Sequence, residues 1–83
     1  MKNKILVKLS VPELDETYDV YIPISKKIGN VIILLDKALV ELSDGIYISN
    51  PNRSLYDSNG NQYNYNQLVL NSGIKNGMKV ILM

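Results

Sequence analysis

The 83 residues carry nine Lys and Arg against eight Asp and Glu, a net charge of +1, and are 46% hydrophobic and 20% charged. That balance is too apolar for a disordered chain, and no basic stripe interleaved with aromatics is present to hold nucleic acid. The absence of Cys, His and Trp removes thiolate metal sites, iron–sulfur clusters, Cys nucleophiles and His general bases, so neither catalysis nor a cofactor is expected.

The length predicts one domain over residues 1–83, of the modest stability of a small core. Lack of cysteine favours a reducing compartment. The first apolar stretch is interrupted by Lys8 and has no small-residue cleavage site, so it does not read as a secretory signal. The longest aliphatic run, Val31 to Leu35, falls far short of the roughly 20 residues of a spanning helix. A cytoplasmic protein without membrane insertion is expected.

In chain order, residues 4–10 alternate, with Ile5, Val7 and Leu9 on one face and Lys4, Leu6, Lys8 and Ser10 on the other. This predicts a half-buried strand. The acidic stretch Glu13-Leu14-Asp15-Glu16 lacks the spacing of a calcium loop and reads as a solvated turn. Residues 18–24 alternate again, Tyr18, Val20 and Ile22 against Asp19 and Tyr21. Pro23 has no backbone donor and belongs at a strand end or sheet edge. The two strands predict a hairpin.

The period then changes. Ile28, Val31, Ile32, Leu35, Leu39 and Leu42 recur at helical spacing and predict a helix over residues 26–42, with Ser25 as its N-cap. Lys26 and Lys27 fall in a first turn that disfavours cations and are read as solvated. Ser43-Asp44-Gly45 ends the helix, Gly45 supplying a left-handed residue. Ile33 and Val40 lie on the helix back beside Lys37, a secondary candidate docking patch.

Ile46-Tyr47-Ile48-Ser49 predicts a third strand with Ile46 and Ile48 inward and Tyr47 outward. The Asn-rich stretch 50–66 reads as a polar loop, within which Leu55-Tyr56 forms a short strand before an Asn59-Gly60 turn. Leu68, Leu70 and Ile74 are expected in the core around a helical turn. Residues 78–83 form the last strand, Val80 and Leu82 inward, Lys79, Ile81 and Met83 outward. The order β-β-α-β-β-β, one helix on one mixed sheet, is a two-layer α+β domain, and the final strand is expected centrally, beside the first.

This arrangement resembles the β-grasp fold of ubiquitin over essentially the whole chain. The likeness rests on the N-terminal hairpin, the helix, the Ile46-Tyr47-Ile48 triplet and the run Asn71 to Leu82. It implies a sheet order 2-1-5-3 with the short fourth strand at the edge. The chain departs from ubiquitin and the sulfur carriers in ending Ile81-Leu82-Met83 without a Gly-Gly tail, so conjugation and sulfur transfer are not expected. Gly73-Ile74-Lys75-Asn76-Gly77 before a hydrophobic last strand is similar to the small bacterial ubiquitin-like proteins of the YukD and EsaB type. That resemblance implies a cytoplasmic accessory or regulatory component of type VII secretion: a non-enzymatic adaptor whose partner is a protein, a membrane component of the secretion system being the candidate. It carries over no catalytic, cofactor or metal residue.

With that sheet order, Leu6, Tyr21, Tyr47 and Ile81 line up as one apolar band on the exposed sheet face, the candidate protein-binding site. Cross-strand packing without a partner explains such a band equally. The alternatives to an adaptor are a self-associating domain, as a weak homodimer through the helix back or the Pro23 edge, and a carrier or modifier using its C-terminus.

Overall fold

A computed structural model of the chain describes residues 3–83. Its elements are β1 (Lys4–Val11), β2 (Glu16–Pro23), α1 (Ile28–Leu42), β3 (Leu55–Tyr56) and β4 (Lys79–Leu82), with single 3-10 turns at Pro12–Leu14 and Val69–Asn71. β1 and β2 form the antiparallel hairpin, with Leu6 opposite Tyr21 and Lys8 opposite Asp19. β4 enters between β1, to which it is parallel, and β3, to which it is antiparallel, in the order β2-β1-β4-β3. The last strand is thus central, as the sequence predicts.

Alternation along the strands produces the core. Val7, Leu9 and Val11 of β1 and Val80 and Leu82 of β4 are fully buried. α1 covers them with Ile28, Val31, Ile32, Leu35 and Leu39. Each such side chain contributes about 1.5–3 kcal/mol by leaving water. Leu42, predicted inward, is half exposed because it borders open clefts beyond the end of that stripe.

The helix begins at Ile28 rather than at residue 26, and Ser25 does not cap it. Its first donors are satisfied from elsewhere in the fold: Ile28 N–H donates to the Gln67 carbonyl at 2.8 Å and Gly29 N–H to that of Tyr65 at 3.0 Å. At the other end Gly45, at φ +83°, lets its N–H reach the Val40 carbonyl at 2.8 Å, the left-handed stop the sequence predicts.

The predicted third strand is not part of the sheet. Residues 46–49 are irregular, and their sense is reversed: Tyr47 is 1% exposed, Ile46 and Ile48 75% each. The place beside β4 belongs to Leu55-Tyr56. The order 2-1-5-3 with a fourth strand at the edge is therefore corrected to 2-1-5-4 in the predicted numbering, the fourth predicted strand lying directly against the fifth. The physical reason is Asp36, buried on α1, which accepts hydrogen bonds from this segment and replaces the ladder. A second correction concerns Leu70, which is 63% exposed while Val69 is fully buried. The 3-10 turn at Val69–Asn71 moves the inward position by one residue. Ile74 is buried as expected.

Candidate functional site

Strand register arranges the outer sheet face in rows. Tyr21 stands beside Leu6; Asp19, Lys8 and Lys79 form the next row; Thr17, Ser10, Ile81 and Tyr56 form the third. Tyr21 is well exposed, while Leu6 and Ile81 are half-buried. Lys8 Nζ lies 3.6 Å from Asp19 Oδ1. The predicted apolar band is therefore divided by a charged row. Parallel pairing sets Ser10, not Leu6, level with Ile81. Leu6 instead meets the turn before β4: its N–H donates to Asn76 Oδ1 at 2.8 Å and its carbonyl accepts Gly77 N–H at 2.7 Å. Leu6, Tyr21, Lys4 and Asn76 together border a shallow cleft.

Tyr47 does not reach this face. It lies against the helix side of the molecule, and Tyr56 takes the place predicted for it beside Ile81. The Ile33–Val40 patch is not formed either. Ile33 is half exposed, next to an equally exposed Leu34, but Val40 packs partly buried against the core. Val40 is one helical turn after Asp36, and the chain that bonds Asp36 folds back over that face.

The cluster built on Asp36 was not legible as such. Its carboxylate accepts Tyr47 Oη–H at 2.6 Å, Ser49 Oγ–H at 2.5 Å and Asn50 N–H at 3.0 Å. The Arg53 guanidinium lies 4.6 Å above the Tyr47 ring and donates to Glu13 Oε2 at 2.6 Å and to the Ile48 carbonyl at 3.3 Å. Burial alone pushes the Asp36 carboxyl up, but the bonds from Ser49, Tyr47 and Asn50 and the charge of Arg53 hold it below its ordinary value. Burial, then the Asp36 bond, pushes the Tyr47 hydroxyl far above its own. The Asp36 carboxylate, the Tyr47 hydroxyl and the Ser49 hydroxyl satisfy one another, so the cluster fastens the loop, while Arg53 Nε is buried with no hydrogen-bond partner among the described residues. The one sequence signal was an acid in the helix beside Leu35, on the side that turns inward.

A helix packed across one face of a mixed sheet, with the last strand parallel to the first at its centre, gives the molecule a β-grasp fold. It is that of a ubiquitin-like domain. No family model matches the chain, and no curated protein matches it. Solved structures do. The EccD5 ubiquitin-like domain from Mycobacterium xenopi is similar at a TM-score of 0.81 and 14% identity, over 96% of this chain and 92% of that one. The ubiquitin-like domain of the Mycobacterium tuberculosis type VII secretion system protein ECCD1 is similar at 0.76 and 11% identity, over 96% and 97%. A chain of the MycP5-free ESX-5 inner membrane complex is similar at 0.73 and 11% identity over 98% of this chain, which spans 21% of that one. The neighbours of this ubiquitin-like domain thus include domains of type VII secretion proteins. Among its described residues no helix is long and apolar enough to cross a membrane.

Proposed function

We propose that this ubiquitin-like domain is a non-enzymatic adaptor or regulator of the YukD and EsaB type, working in the cytoplasm by binding a protein of a type VII secretion system. A membrane component of that system is the partner this reading favours. The observation that carries it is the likeness to the EccD5 and ECCD1 ubiquitin-like domains over 96% of the chain. The exposed Tyr21 with its neighbour Leu6 is the proposed contact, and Ile81 with Tyr56 is a second point beyond the charged row. Binding is non-covalent on this reading.

The test is a pull-down from cytosol and solubilised membrane of an organism that makes the secretion machinery. Wild type is compared with a Leu6→Asp, Tyr21→Asp double variant whose circular dichroism is unchanged. Recovery of a secretion component by wild type and its loss with the variant is the expected result. Recovery of none by wild type sinks the reading. Mass spectrometry of the protein taken from cells should find no covalent link to another protein, and such a link through its terminal carboxyl would show conjugation.

A further inference from the structure

Asparagine is a thermolabile residue, and it is weakest before glycine. Glycine has no Cβ to shield its amide nitrogen, so that nitrogen can close on the carbonyl carbon of the Asn side chain. The chain has two such pairs, Asn59-Gly60 and Asn76-Gly77. Both are exposed in turns, the glycines at φ +84° and +87°, and a Cβ at either glycine would meet nothing within 4 Å. Space does not separate the two pairs. Hydrogen bonding does.

Asn76-Gly77 is fastened to the middle of the sheet. Gly77 N–H donates to the Leu6 carbonyl at 2.7 Å, and Asn76 Oδ1 accepts Leu6 N–H at 2.8 Å. The second bond polarises the side-chain carbonyl, yet the attacking nitrogen must first lose a proton that the Leu6 carbonyl holds. Freeing it means parting the turn from β1, which has a strand on either side. Asn59-Gly60 is bonded only within its own turn. Gly60 N–H donates to the Asp57 carbonyl at 3.1 Å, and Asn59 N–H to Asp57 Oδ1 at 2.9 Å. Among the described residues the Asn59 side chain makes no hydrogen bond, so its carbonyl carbon is free to swing toward Gly60. The pair stands at the tip of a small hairpin, closed by Asp57 N–H on the Asn61 carbonyl at 2.9 Å and by the Tyr56–Gln62 bridge. None of residues 57–62 belongs to the buried core, so opening the tip uncovers no core side chain.

We propose that Asn59 is a modification site at which the folded chain deamidates, while the bonds to β1 hold Asn76 intact. Gly60 N gives its proton to solvent and attacks Asn59 Cγ. The new N–Cγ bond forms, the Cγ–Nδ2 bond breaks, and Nδ2 leaves as ammonia after taking a proton back from solvent. Water then opens the cyclic imide at one of its two carbonyls, giving aspartate or β-linked isoaspartate. The step consumes one water and needs no oxidant or reductant. Either product sets a new carboxylate beside Asp57 and takes the net charge from +1 to zero. The isoaspartate also lengthens the backbone by one methylene at the hairpin tip. No partner is involved, so this inference is independent of the protein-binding reading.

The folded protein is incubated at mildly alkaline pH and sampled over time. Trypsin cuts after Arg53 and Lys75, which puts Asn59 and Asn76 on different peptides. Mass spectrometry follows the exchange of NH for O in each, with fragmentation locating it between Ser54 and Lys75. A protein isoaspartyl methyltransferase with labelled S-adenosylmethionine identifies the β-linked product. Asn59 should convert about tenfold faster than Asn76 in the folded chain, and in urea the two rates should come together. Asn59→Gln, which keeps the amide but lengthens its arm, should remove the acidic species that wild type accumulates in isoelectric focusing. In the isolated isoaspartyl product the Asp57 amide should exchange faster, with Val7 and Leu9 unchanged. No conversion at Asn59, equal rates in the folded chain, faster conversion at Asn76, or conversion of Asn61, Asn64, Asn66 or Asn71 ahead of Asn59 overturns the proposal. So does a preference for Asn59 that survives unchanged in urea, since the local sequence and not the fold then sets it.

Discussion

Asp36 is 6% exposed on a helix face that is otherwise aliphatic, with two hydroxyls and a backbone amide turned onto its carboxylate. Asp36→Ala strands these donors and should cost about 2–3 kcal/mol in urea unfolding, whereas Tyr47→Phe, which keeps the ring beneath Arg53, should cost about 1–1.5 kcal/mol. The acid limb follows from the same contacts. The folded carboxyl titrates below its ordinary value of 3.8, so its contribution is complete above that value and fades as pH falls through the lower, folded one. Wild type should lose stability below about pH 4 more steeply than Asp36→Asn. Tyr47 has the opposite sign: its hydroxyl titrates above the ordinary 10.0, so its contribution is complete below that pH and is lost as pH rises beyond it. The alkaline limb should be flatter in Tyr47→Phe. Both limbs are read from unfolding midpoints across pH. At this scale the sequence misleads for a definite reason. Tyr47 sits between two isoleucines, and alternation assigns the isoleucines inward; only a carboxylate eleven positions earlier in the chain reverses the choice.

Elements with an uninterrupted period were legible: the hairpin at period two and α1 at 3.6 both stand where the spacing puts them. Their ends were not, because the helix start is capped by the carbonyls of Tyr65 and Gln67, distant in sequence, and no local residue announces that. Gly29 marks the junction. A Cβ there would meet the Tyr65 carbonyl oxygen at 3.3 Å, and that carbonyl is pinned by the Gly29 N–H. Gly29→Ala should therefore not deliver the ~1 kcal/mol an interior alanine normally adds; a net loss of about 1 kcal/mol is expected from crowding. Gly45 is the contrast. It has open space around it but φ +83°, so Gly45→Ala should cost about 1 kcal/mol through the backbone alone. Thermal unfolding of the two variants separates contact from conformation. β3 is two residues long and lies in an Asn-rich stretch, so its existence was readable from Leu55 and Tyr56 but its seat beside β4 was not.

Across the whole molecule, the candidate face was half legible. Alternation places Leu6, Tyr21 and Ile81 on one side of the sheet, and they are there. Which residues stand level is fixed by the parallel register of β1 and β4, which no local pattern encodes, and that register inserts the charged row. Stability should be distributed accordingly. Hydrogen exchange of Val7, Lys8 and Leu9, in the doubly flanked strand, should require global unfolding, while Asn59 and Asn61, whose amides bond the side chain of Asp57 at the exposed turn, should exchange by local opening. Asn76→Ala should move Leu6 from the first group toward the second, because its amide then loses the Oδ1 that holds it.

The same register has a mechanical side. β1 and β4 lie side by side and run the same way, so Lys4 and Leu82 are at opposite ends of the joined pair. A pull between these two residues drives one strand along the other and strains their shared hydrogen bonds together. A pull across the β1–β2 hairpin, gripped at its open end, parts the rungs one after another. The domain is stiff as a link loaded through its first and last strands and weak as a zipper, so the points at which a larger assembly holds it determine whether it bears a load or opens under it.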